Sequence, residues 1–123
     1  MSHHEDDFFA AVSVLAGHGH IKERLVAAFE DNLQDIEPDD LSVSMKQTFN
    51  ELRHLMMRVE PLNGEGPIRA SVRKMSIREA DECAQLMVEL YADALRMGGT
   101  VQESLPLRGE EQPEVRGVVL KSV

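Results

Sequence analysis

Five histidines, a single cysteine and a cluster of arginines are the residues of this 123-residue chain whose types could carry chemistry. His18 and His20 flank Gly19 in what reads as a loop. Imidazole is a common ligand for zinc, nickel and copper, so this pair could supply two donors. A catalytic zinc usually needs three protein ligands and a structural one four. The third would have to come from His54 or from an acid such as Glu23. His18, His20 and His54 are therefore the candidate ligands for a divalent metal, although the reading predicts no cofactor. The start Ser2-His3-His4, once freed of Met1, also has the donor order of a square-planar Cu(II) or Ni(II) site.

The nucleophile candidates are fewer. Cys83 is the only thiol and falls on the apolar side of a helical pattern, where it reads as a small core residue. Asn50-Glu51-Leu52-Arg53-His54 misses the zinc-protease motif, because Asn50 stands where the first histidine belongs. Glu51 and His54 make one Glu-x-x-His pair, but a carboxylate-bridged di-metal bundle needs two. Asn63-Gly64-Glu65-Gly66-Pro67 lacks the lysine and hydroxyl residue of a phosphate loop. No catalytic residue is assigned, and the expectation is a non-enzymatic protein.

The arginines form a sharper pattern. Formal net charge is −9. Residues 1–52 carry −8 and residues 79–123 carry −5, while residues 53–78 carry +4. That middle segment is a basic island in an acidic chain. Arg69 and Arg73 lie four apart and share a face if the segment is helical. A Gly-Pro helix start beside Arg69 would expose free N–H groups to an anion. Arg69, Arg73, Lys74 and Arg78 are therefore the candidate anion-binding residues. The plainer reading is that these cations pair with acidic helices, within the fold or across a dimer. An acidic chain is a poor general ligand for nucleic acid, because phosphate contacts need Lys and Arg.

The elements that must position these residues read as helices. Aromatics are scarce (four Phe, one Tyr, no Trp), whereas aliphatics, Ala and seven Met are plentiful. That mixture suits helix packing better than a β-sandwich. A first helix is expected at about residues 5–16, with Glu5, Asp6 and Asp7 at its positive end. A second runs from Ile21 to Ile36, where Ile21, Leu25, Phe29, Leu33 and Ile36 recur at helical spacing. A third should begin at Asp39 or Asp40 as cap and run to Val59, ahead of Pro61. Pro67 could open a short fourth helix, with an extended segment as the alternative. Ser76-Ile77-Arg78-Glu79 fits a capping box for a fifth helix, which Gly98-Gly99 should stop.

The expected fold is all-α: a small antiparallel bundle of four to five helices over residues 1–98, followed by a flexible C-terminal tail at 99–123. Within that tail, residues 115–123 hold Val118, Val119, Leu120 and Val123 and could instead form a docking strand. The start lacks the basic region and apolar run of a secretory signal, and no apolar stretch approaches membrane-span length. A cytoplasmic protein with no membrane partner is the simplest expectation, and one cysteine agrees with a reducing compartment.

The leading functional expectation is an interaction or regulatory protein that self-associates through helices, as a homodimer. Its motives are the broad apolar face of the fifth helix, the separated charges, and Met57, which should face outward beside buried Met56. A small anionic-ligand module at 69–78 is the alternative, and a metal-binding protein using the loop histidines the second alternative.

Overall fold

A computed structural model describes residues 4–103, with side chains over residues 4–97. Five α-helices and one short 3-10 turn make up the described residues, which contain no strand. The fold class is all-α, as expected.

Helix α1 spans His4–Leu15, with its three acids in the first turn. His4 holds that turn in place: Nδ1 lies 3.2 Å from Asp7 Oδ2 and Nε2 3.5 Å from Asp40 Oδ2. Gly19, at φ 104°, supplies the left-handed residue that lets the chain reverse. Helix α2 spans Ile21–Asn32. It is shorter than expected. Leu33 and Ile36 are still buried, but as turn residues beyond the helix rather than on it.

The start of the third helix also differs. Asp39 and Asp40 belong to the 3-10 turn Pro38–Asp40. Helix α3 begins later, at Val43, and runs to Met57. Its cap is Ser42, whose Oγ accepts from Met45 N at 3.3 Å. The expected carboxylate caps, Asp39 and Asp40, are thus replaced by a hydroxyl two residues further on; all three are good cap residues, and local sequence alone does not choose among them. Helix α4, Pro67–Lys74, begins on proline as expected. The loop before it turns at Asn63 and Gly64, both with positive φ. Helix α5 starts at Ile77 behind the predicted capping box: Glu79 N donates to Ser76 Oγ at 3.1 Å, and Ser76 N to Glu79 Oε1 at 3.0 Å.

Gly98-Gly99 does not stop α5, which continues to Glu103. Two glycines weaken a helix by about 1 kcal/mol each relative to Ala, but they end it only where a left-handed cap follows. The proposed boundary at residue 98 thus falls inside a helix. The expected docking strand at 115–123 lies outside the described residues.

Helix α5 is the hub, packing on α1, α2 and α3, while α4 closes against α2 and α3. Phe8, Phe29, Phe49, Leu25, Leu52, Met56, Met87 and Leu90 are fully buried at the centre. The one buried polar side chain among the described residues, Ser71, is satisfied: its Oγ accepts from Val59 N at 2.9 Å and ties α4 to the end of α3.

Candidate functional site

Two of the surface concavities differ sharply in chemistry. The first is a groove of about 410 Å³ between α2 and α4. Arg69 and Arg73 line it together, so the predicted shared face is present. Lys74 and Arg78 are exposed and do not line it. The four candidates are therefore not one cluster.

Each cation in the groove already has a partner. Arg69 Nη2 lies 3.3 Å from Glu30 Oε1. Arg73 makes a forked pair with Glu65, with Nε donating to Oε1 at 3.3 Å and Nη2 donating to Oε2. That hydrogen bond holds the Glu65 carboxyl below its usual range and raises the guanidinium of Arg73. Lys22 Nζ donates to the carbonyls of Met75 at 2.5 Å and Arg73 at 3.3 Å. It thereby caps the negative end of α4, a use of lysine that helix dipoles favour. Sequence reading did not find this role, because Lys22 and Met75 are 53 positions apart. Elsewhere in the basic segment, Arg58 pairs with Glu79 at 2.8 Å. Hydrogen bonding from Arg58, then from the backbone of Ser76, holds the Glu79 carboxyl below its ordinary value. Half of the six bases of the island are thus paired with acids inside the fold.

The histidines are placed apart. His20 is the cap of α2, with Nδ1 accepting from Lys22 N at 3.1 Å. His18 is exposed in the loop before it, and His54 is exposed on α3. Among the described residues no three His, Cys, Asp or Glu side chains stand together as a group able to hold a metal ion. Residues 1–3 lie outside the described residues, and with them most of the amino-terminal copper motif. Cys83 is fully buried, and that burial pushes its thiol up to about 12, far from a reactive thiolate.

The second concavity, about 270 Å³, lies between α1 and α5 and is lined mainly by Val12, Leu15, Ile21, Ala84 and Val88. The surface around it is apolar as well. Phe9 is 55% exposed, Val88 49%, Leu95 42% and Ile77 55%. Phe9 and Tyr91 are tilted against each other with ring centroids 5.6 Å apart, so their rings extend one continuous patch. Arg24 lies at the border, donating through Nε to Gly19 O at 2.9 Å and through Nη1 to Leu15 O. It thus closes the last turn of α1 rather than facing a ligand.

The expected broad apolar face of α5 is present, but its two halves separate. Ala80, Cys83, Met87, Leu90 and Ala94 enter the core, whereas Ala84, Val88, Tyr91 and Leu95 remain on the surface side. Phe9, Ile77 and Val88 were not singled out from the sequence. Ile77 and Val88 belong to a second stripe of α5 at alternating steps of four and three, whereas Phe9 lies on α1. Met57 is corrected: with Leu55 it is half-buried and packs on the core edge rather than facing out.

No helix among the described residues is long and apolar enough to cross a membrane. No protein-family model matches this chain, and no curated protein and no solved structure matches it.

Proposed function

We propose that this chain is a non-enzymatic interaction protein, an antiparallel bundle of helices that self-associates through its α1/α5 face. The observation that supports it is the contiguity of Phe9, Val88 and Leu95, each roughly half exposed, around half-buried Tyr91. Single exposed apolar residues are ordinary, but a contiguous patch on a small acidic protein marks a surface that another surface covers. A cytoplasmic setting belongs to the same reading, since the one thiol is buried and no pairing depends on oxidation. Light scattering across a dilution series tests the reading. A mass that rises from monomer to dimer with concentration supports it, and a monomer at every concentration sinks it.

A second reading, an anion-binding module at the α2/α4 groove, draws on one observation: the volume falls within the range of small-molecule sites. Against it, Arg69 and Arg73 would each have to exchange a glutamate for the ligand. Inorganic phosphate titrated against the melting temperature decides this. A rise that disappears in an R69A/R73A variant would establish the groove as a site, and no rise removes it.

A further inference from the structure

We infer that the occupant of the α1/α5 face is a second copy of this chain, laid antiparallel along α5 in one symmetric register. This rests on the self-association reading above and specifies its geometry.

The outer stripe of α5 consists of Ile77, Asp81, Ala84, Val88, Tyr91 and Leu95, of which Ala84 and Tyr91 are half-buried against the core and the other four exposed. The steps along it are four, three, four, three and four. That is the 3.5-residue repeat of a helix seam that meets another helix at a shallow angle. The inner stripe, which runs through Cys83, Met87 and Leu90, is already spent on the core. An amphipathic helix carries one apolar stripe, whereas α5 carries two: the first is buried, and the second is only partly covered, by Phe9, Val12 and Leu15 of α1.

The stripe is complementary to its own reverse. Turned end over end about the level of Leu86, Ile77 faces Leu95 of the second copy, Asp81 faces Tyr91, and Ala84 faces Val88. Every member of the stripe then has a counterpart within it. Large side chains oppose small ones at both inner levels. The single charge on the seam, Asp81, meets the one seam residue with a hydroxyl to donate, so its carboxylate is not left unpaired. A parallel arrangement would instead set Asp81 against Asp81, two like charges in a desolvated layer.

Helix α1 adds to the fit. Phe9 meets Tyr91 of its own chain, whereas Val12 and Leu15 share a concavity with Ala84 and Val88. Helix α1 therefore runs opposite to α5, and the symmetric register brings the two α1 helices side by side. Phe9 then lies toward the Ala16 end of the other α1, again large against small. Length points the same way. At 1.5 Å per residue the 27 residues of α5 extend about 40 Å, and the 12 residues of α1 about 18 Å. Helix α1 cannot cover the stripe, but a second α5 can. The seam presents fewer than the 20–30 residues a side of a standard interface, so a dissociation constant on the order of micromolar is expected.

The test uses the full chain. Wild type and V88D are compared by sedimentation equilibrium, and I77C and L95C are mixed under mild oxidation, with mass spectrometry of the products. Both cysteines replace exposed residues, and buried Cys83 is the wild-type control. Val88 is also exposed, so V88D should keep its melting temperature. The expected results are dimerisation weakened at least about 100-fold by V88D and a disulfide joining I77C to L95C, with neither variant cross-linking to itself. Self-linking of either variant alone would overturn the antiparallel register while leaving self-association standing. Dimerisation indifferent to V88D would overturn the face. A monomer at every concentration would overturn both, as it would if residues 115–123 of the same chain, or some other partner, cover the stripe.

Discussion

The α2/α4 groove and the α1/α5 face are the two largest contrasts on this molecule. The groove is charged and closed on itself: Lys22, Arg69 and Arg73 each find an acceptor within the fold. The face is apolar and open, with Phe9, Val88 and Leu95 half in water. Charge drew attention in the sequence, yet the charged region is the one whose interactions are already satisfied. A basic segment in an acidic chain satisfies itself easily, because acids surround it. The second apolar stripe of α5 does not, because α1 touches only part of it and leaves Ile77, Val88 and Leu95 about half exposed.

The largest expected effect breaks this contrast in one experiment. V88D should weaken dimerisation by about 100-fold or more, since symmetry buries the new carboxylate twice. The R69A/R73A variant should dimerise like wild type and melt nearly like wild type, because exposed ion pairs contribute little. Reversal of this order would make the groove the docking surface and the apolar stripe incidental.

A second substitution sharpens the picture of the face itself. Asp81 is the one residue on the stripe that opposes a purely apolar seam. Asp81→Leu should tighten association about 10-fold, as one charge leaves the layer and one aliphatic side chain enters. The same variant should lose register selectivity, so that the I77C and L95C positions begin to cross-link to themselves. Added salt should likewise strengthen the wild-type dimer, because two chains of net charge −9 repel one another and screening relieves that repulsion. A dimer held by ion pairs would respond in the opposite sense, and sedimentation in low and high salt separates the two.

What the sequence made legible follows from how local each signal is. The capping box at Ser76 and Glu79 and the proline start of α4 depend on a few adjacent residues, and both appear as expected. The buried stripe of α3, through Met45, Phe49, Leu52 and Met56, also follows from spacing alone. Signals that depend on distant partners did not read. Nothing near Lys22 announces that it will cap α4. Nothing near Gly98 tells whether two glycines end a helix or ride within it. The apolar breadth of α5 was visible, but its division into core and surface halves needed the positions of α1 and α3. Met57 misled for the same reason: a residue beside a buried one faces outward only if no neighbouring element covers its side.

On the groove side, Lys22→Met tests whether the charges there serve the fold. The variant keeps the apolar stem of the side chain and removes the ammonium with its hydrogen bonds to Arg73 O and Met75 O. A net loss of about 1 kcal/mol is expected, with a melting temperature lower by roughly 4–8 °C. Amide hydrogen exchange should locate the change, with protection falling in α4 and remaining in α1 and the first half of α5. Association should be untouched, because Lys22 lies off the seam. A dimerisation defect in this variant would show that the two surfaces are coupled through α2, which borders both.

Acidification makes the smallest and most selective demand on the comparison. Glu65 and Glu79 are held below their usual range by hydrogen bonds from Arg73 and Arg58. A carboxyl whose folded value lies below its unfolded value binds protons less readily in the folded chain. Its contribution is therefore complete above the unfolded value near 4.5 and is lost as the pH falls through the folded value. Thermal melts between neutral pH and about pH 3 should show stability flat at first and declining below about 4.5. E65Q should flatten part of that decline, since an amide has no proton to gain. The apolar stripe depends on buried side chains rather than on ion pairs. Dimerisation should consequently hold over the same range in which the groove loosens. Loss of the dimer in step with the loss of stability would mean that the ion pairs, rather than the second stripe of α5, hold two copies together.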